Sequence, residues 1–235
     1  MTAAQASRFH QEKLLSNLID MANNAINPTQ RAMEHLWDVW RQEKHGSVGG
    51  ESMFTQIEKY AADNPGTIIE ILREGDNFII VLVTEFLLRV HKNMREACEV
   101  VFVDTTTHVD QLNTAVTPLL CGGPCGALPL GVIFTSSQAE QSYTKGFQLL
   151  KKVLDKSAFY YQNYPNCFIT DNSEAERNAL RTVWPDSQLF LCVFHVLQQV
   201  WRWLCNGSHN IKKEQRPQLM QVARALLYAD SAEGI

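Results

Sequence analysis

The sequence predicts an α/β domain, a mixed sheet of three antiparallel strands followed by two parallel strands with helical crossovers, preceded by a helical region. Three observations carry this. Apolar residues recur at helical spacing over much of the first half. From Val100 they fall into short runs joined by polar or glycine-rich turns, and from Tyr143 onward helical stripes alternate with short apolar runs.

In order along the chain, Leu14, Leu15, Leu18 and Ile19 recur with helical periodicity, and Pro28 separates them from a second segment around Leu36, Trp37 and Trp40. A loop runs from His45 to Ser52, a helical pattern resumes through Ile57 and Tyr60, and Asn64-Pro65-Gly66 breaks it. Val100 to Val103 reads as a strand ending at Asp104. The polar turn HVDQLN leads to AVTPLL, and the glycine-rich CGGPCG leads to LPLGVIF, which together make a meander. Pro118 has no amide to donate, so a bulge or a shortened strand is expected there. Tyr143, Phe147, Leu150 and Leu154 fall on one helical face. NCFIT is a strand ending at Asp171, and Ser173 with Glu176 forms an S-x-x-E capping box for the next helix, which carries Ala179, Leu180 and Val183. SQLFLCV is the last strand, and Leu197, Val200, Trp201 and Leu204 stripe the helix after it.

Composition bounds the function. The chain has 235 residues, 45% of them hydrophobic, enough for one full core. Six cysteines at irregular spacing, with no basic-then-apolar start, point to reduced thiols in an intracellular setting. The longest apolar run, Phe78 to Val90, contains Glu85 and Arg89 and is too short to span a bilayer, so no membrane role is expected. The formal net charge of −4 gives no overall basic surface for nucleic acid. Any such surface must be local, around Lys151, Lys152 and Lys156 or Arg202, Lys212, Lys213 and Arg216; the same residues also suit ordinary solvated helix faces.

The strand order brings Asp104 and Asp171 to one edge of the sheet, although 67 positions separate them in sequence. Carboxylates held close repel unless a cation neutralises them. Hard divalent ions that activate water or a 3′-hydroxyl and stabilise a departing phosphodiester oxygen suit such a pair. A plainer reading stands beside it, since Asp at the end of a strand also caps backbone amides. His108, after the threonine run, sits near the same edge or is simply solvated.

Four ordered blocks carry a family resemblance: VFVDTTTHVDQLN, then LPLGVIFTSS followed by Glu140, then FITDNSEAERNAL, then VWPDSQLFLCVFHVLQQVWRWL. They resemble the Mutator-like (MULE) transposase domain over residues 96–204, with its strand ending in Asp, its second strand ending in Asp before an Ala-rich helix, and its P-x6-C-x-x-H block. The stretch from Phe54 to Met94 resembles the family's helical lead-in. The resemblance implies an RNase H-like DDE strand transferase, or a descendant close to animal SWIM-finger proteins. Asp104 and Asp171 would be the first two ligands of a two-metal Mg or Mn site. It implies DNA as the partner of the full-length protein, a nuclear location, and zinc only in a downstream SWIM finger; it admits a homo-oligomer. The expected organisation is a helical region over 1–95, the RNase H-like core over 96–204 and the start of a helical insertion, truncated, over 205–235. The family's third acid follows such an insertion. Glu214 and Glu233 have no matching context, so an incomplete, inactive site is expected. The alternative is a domesticated module that binds DNA or protein without catalysis.

Cys192 and His195 match the family's C-x-x-H, which the resemblance associates with metal or DNA contact; a buried Cys192 and a His195 hydrogen-bonded at a helix start is the plainer reading. With Cys205 and His209 the spacing suggests zinc, but one helix over this stretch would separate His195 from Cys205 by about 15 Å. The zinc-binding SWIM pattern itself (C-x-C, then C-x-H) is absent.

Overall fold

The computed structural model describes residues 3–14, 19–20, 23, 25–45, 50–107, 109–110 and 112–229. Leu15, Leu18, part of the loop before Ser52, His108 and Glu233 lie outside the described residues. Contacts divide the chain into two compact units, residues 1–63 and 64–235. In the first, helices α1 (Ala3–Leu14), α2 (Gln30–His45) and α3 (Gly50–Asp63) follow one another. The His10 ring lies 2.6 Å from the Ile26 carbonyl oxygen, a bond that holds α1 to the turn before α2.

The second unit carries the sheet. Its elements are β1 (Thr67–Glu74), β2 (Asn77–Thr84), α4 (Glu85–Asn93), α5 (Glu96–Glu99), β3 (Val100–Val103), β4 (Ala115–Gly123), β5 (Gly126–Thr135), α6 (Glu140–Val153), β6 (Cys167–Thr170), α7 (Glu174–Val183), β7 (Gln188–Leu191), α8 (Val193–Cys205) and α9 (Arg216–Leu227). The strands form one seven-stranded sheet in the order β1-β2-β5-β4-β3-β6-β7. β1 to β5 pair antiparallel, and β6 and β7 join β3 in parallel, a mixed arrangement compatible with an RNase H-like fold.

Two strands were not expected. The helical reading up to residue 95 fails over residues 67–84, which form a β-hairpin that enlarges the sheet from five strands to seven. Both arms are rich in isoleucine and valine, and Gly75, at φ 60, makes the turn between them. The sequence hid this because strand β2 runs without a break into helix α4. Thr84 ends one and caps the other, its hydroxyl accepting the Leu87 amide at 3.4 Å.

The core lies on one face of the sheet. Val81 and Val83, Val101 and Val103, Leu119 and Cys121 alternate onto it, and all are buried. Helices α4, α6 and α7 cover this face with Leu87, Val90, Phe147, Leu150, Leu180 and Val183. Trp184 fills the centre, its ring 5.8 Å from Phe147, 5.9 Å from Phe159 and 5.3 Å from Phe168. His91 ties α4 into this core. Its Nε2 donates to the Leu130 carbonyl oxygen at 3.1 Å and its Nδ1 accepts from the Phe159 amide at 3.0 Å. Burial pushes its pKa down to about 4, partly offset by the Leu130 bond and the Asp155 charge, so the ring stays neutral. The stability it confers is therefore lost as pH falls from about 6.5 toward 4. All six cysteines are free thiols, and among the described residues no helix is long and apolar enough to cross a membrane.

Helix α6 reaches the sheet through Gly146, where a Cβ would meet Ile133 Cγ2 at 2.9 Å. Ile133 is buried and its β-branch is stiff, so it has little room to yield. Gly146→Ala is expected to destabilise by about 1–3 kcal/mol from overpacking, against the gain of roughly 1 kcal/mol that alanine gives in a helix. Urea unfolding of the two proteins measures the difference; a net stabilisation would contradict the close approach.

Candidate functional site

The two aspartates meet through strand register. Val100, Val101 and Phe102 of β3 face Cys167, Phe168 and Ile169 of β6 in parallel. The same offset, carried two residues past the last pair, brings Asp104 level with Asp171 just beyond the ends of neighbouring strands. The 67 positions between them in sequence are the register of the pair.

Pro118 explains where β3 stops. On the β4 side, Val103 faces Leu119 and an isolated bridge joins Thr106 to Val116, so Asp104 falls opposite Pro118. A proline cannot donate to the next rung, and the ladder lapses at the acid. The expected irregularity does occur, one residue further on, as a register shift between Leu119 and Leu120 in the pairing of β4 with β5.

Thr105 follows Asp104, is half-buried, and faces the same side of the sheet as the buried Val101 and Val103. Its hydroxyl donates to Glu176 Oε2 at 2.8 Å and lies 2.8 Å from the Thr117 hydroxyl across the strand. With one hydrogen per hydroxyl, Thr117 is then the donor to Thr105. The buried Tyr143 hydroxyl of α6 faces the same threonine. Glu176 is 0% exposed, and its Oε1 has no hydrogen-bond partner. Burial pushes its carboxyl up to about 7. The Thr105 bond pulls it back, and the charges of Asp171 and Asp104 push it further. One carboxyl buried beneath the edge thus senses both aspartates above it.

This corrects the capping box. Ser173 does cap α7, its hydroxyl accepting the Glu176 amide at 3.4 Å. The reciprocal bond is missing, because the Ser173 amide donates to Asp171 Oδ1 at 2.7 Å and the Glu176 side chain turns into the core. Asp171 is thereby a turn-former and a carboxylate at the edge at once. In the sequence the burial of Glu176 is masked, because a Glu three residues after a Ser suits a cap equally well. The signal for its burial was its place on the apolar stripe of α7, three and four residues before Ala179 and Leu180.

Cys192 and His195 reach the same edge. Cys192 is the N-cap of α8, half-buried, with its amide donating to the Thr170 carbonyl oxygen at 2.7 Å. His195, in the first turn, puts Nε2 3.8 Å from Asp104 Oδ1. Its Nδ1 is buried without a partner, so it is not the hydrogen-bonded helix-start histidine of the plainer reading. Asp171, Asn172, Leu191, Cys192, His195 and Val196 are among the residues lining a cleft of about 230 Å³. Helix α8 is continuous from His195 to Cys205, which separates the two by about 15 Å. Cys205 accepts from Arg216 at 3.6 Å, and His209 stacks on Trp203, so neither is turned to a shared ion with His195. Of the basic residues considered for DNA, Lys151 donates to the Val183 carbonyl oxygen at 2.7 Å and Arg216 to Cys205 and the Ile211 carbonyl oxygen, whereas Lys152, Lys156, Arg202, Lys212 and Lys213 are exposed.

The donor set fits a hard divalent ion that keeps most of its water. Asp104 is 61% exposed and Asp171 has one oxygen outside the Ser173 bond; Mg²⁺ is commonly held by one or two carboxylates plus water and substrate phosphates. Among the described residues no group of three or more His, Cys, Asp or Glu side chains is placed to hold a metal ion.

Residues 100–199 match the family model described as the MULE transposase domain. No curated protein matches the chain.

Glu176 makes a pH-dependent prediction. The folded state holds its proton more tightly than the unfolded state, whose pKa is near the ordinary 4.5. Its contribution is therefore complete below about 4.5 and is lost as pH rises to about 7. Glu176→Gln, which does not titrate, is expected to gain stability over the wild type across that window, by up to about 3 kcal/mol, and to hold the gain above it. Urea unfolding of both proteins at pH 5, 6, 7 and 8 in EDTA reads this difference, in which the opposite slope from His91 cancels. A difference that does not change with pH would contradict the burial of an ionisable acid here.

Proposed function

On the premise that this chain carries a MULE transposase-type domain, we propose that Asp104 and Asp171 bind a divalent cation, Mg²⁺ or Mn²⁺, and present it to a DNA phosphodiester, the chemistry of a DDE-type strand transferase. The observation that carries the reading is the parallel register that sets Asp104 beside Asp171. When bound, such a cation would supply charge neutralisation at a phosphoryl oxygen and activation of the attacking hydroxyl. The protein's own groups do the rest. The Ser173 amide fixes the Asp171 carboxylate, and Pro118 leaves the Asp104 rung unpaired. His195 stands against Asp104, its Nε2 3.8 Å from Oδ1 at the open side of the edge. Arg202, Lys212 and Lys213 are exposed cations available to phosphates. The partner on this reading is DNA, and the place of action the nucleus.

A second reading is a transposase-derived module that binds DNA or protein without cutting. What favours it is that no third ligand joins the two aspartates among the described residues. Nicking of supercoiled DNA by the full-length protein separates the two. The first expects Mn²⁺-dependent nicking that falls by at least about 100-fold in Asp104→Asn and in Asp171→Asn, the upper end of what loss of even an outer-shell group costs. DNA binding that persists in EDTA and in Asp104→Ala, with no nicking by the wild type, would overturn it in favour of the second.

A further inference from the structure

Beneath the two aspartates lies a polar cluster that neither reading uses. Thr105, Thr117, Tyr143 and Glu176 come from the turn after β3, from β4, from α6 and from α7. Three of them are buried and Thr105 is half-buried. Glu176 cannot touch DNA, since its side chain is wholly enclosed. Its position is nonetheless specific. Thr105 is the residue next to Asp104, and Glu176 sits on the helix whose first turn is built by Asp171 and Ser173. The bond from Thr105 to Glu176 therefore closes a loop that runs from Asp104 through the core to Asp171, and Thr117 holds the same threonine from the other side. The unpartnered Oε1 marks the carboxyl as poorly explained by packing alone, because Ala179, Leu180 and Val183 already give α7 its apolar face.

We propose that Glu176 is a positioning residue for the divalent-cation site: accepting from Thr105, it holds the Asp104 turn against the Asp171 turn so that both carboxylates face one ion. This rests on the reading of Asp104 and Asp171 as cation ligands. Loss of the clamp leaves both aspartates in the chain but frees their relative placement, so affinity for the ion alone reports it. Groups at this remove from a metal typically change affinity by about 10–100-fold.

The test is Mn²⁺ binding by the full-length protein, without DNA, followed by calorimetry and by the electron paramagnetic resonance of free Mn²⁺. Asp104→Asn is the ligand control, and thermal melts are run alongside. Glu176→Ala is expected to weaken Mn²⁺ by about tenfold or more, whereas Glu176→Gln, which keeps an acceptor for Thr105, is expected to bind close to the wild type. Thr105→Val removes the same bond with little change of shape and is expected to match Glu176→Ala, which keeps the test open if the alanine variant does not fold. Wild-type affinity in Thr105→Val and in any folded Glu176→Ala would reduce Glu176 to a structural residue and overturn the proposal. Loss in Glu176→Gln equal to that in Glu176→Ala would overturn it in favour of a direct ligand. A wild type that binds no Mn²⁺ would instead remove the cation site itself, and the clamp with it.

Discussion

The register between β3 and β6 is the constraint on which the candidate site depends. A parallel pair fixes which residues are level with one another, and here the level that matters lies just beyond the last ladder rung. Each strand is only four residues long, so little backbone bonding defines it. The register is held instead by what each strand buries. Val101 and Phe168, paired across the two strands, are both fully enclosed, and Phe168 packs on Trp184. A slip of one residue in either strand would turn its inward residue, Val101 or Phe168, out of the core and part Asp104 from Asp171 in the same move.

A second layer of polar bonds then converts level ends into a defined edge. Pro118 ends the ladder at Asp104, Thr105 anchors the turn to Thr117 and Glu176, and Ser173 fastens Asp171 to the start of α7. The arrangement has a cost. A buried oxygen with no partner, as at Glu176 Oε1, is worse than an apolar atom by roughly 1–3 kcal/mol. The opposite face of the sheet is plainer. Phe102, Ile169 and Phe190 lie in one row across β3, β6 and β7, with Phe102 42% and Phe190 51% exposed.

Most of the sheet beyond Val100 was legible in the sequence, because turn residues punctuate it and strand and helix periods alternate. The place of Asp104 and Asp171 just after strands was legible for the same reason, since each follows a short apolar run bounded by polar residues. Three things were not. The β1–β2 hairpin was hidden by an apolar run that crosses from strand to helix at Thr84 without a change of composition. The direction of the Glu176 side chain was hidden because capping and burial ask for the same residue at the same spacing. The approach of His195 to Asp104 depends on how α8 leaves β7, which is a tertiary fact. Local pattern reports which face an element buries, and it says nothing of which polar groups from distant elements meet beneath that face.

The claim that the strand register builds a cation site is tested most directly by crystals grown with Mn²⁺ and read by anomalous diffraction. The expected result is a peak between Asp104 and Asp171, about 2.0–2.6 Å from an oxygen of each, the span of hard divalent ions on carboxylates. A well-ordered edge with no anomalous peak there, or Mn²⁺ bound only elsewhere on the protein, would contradict it.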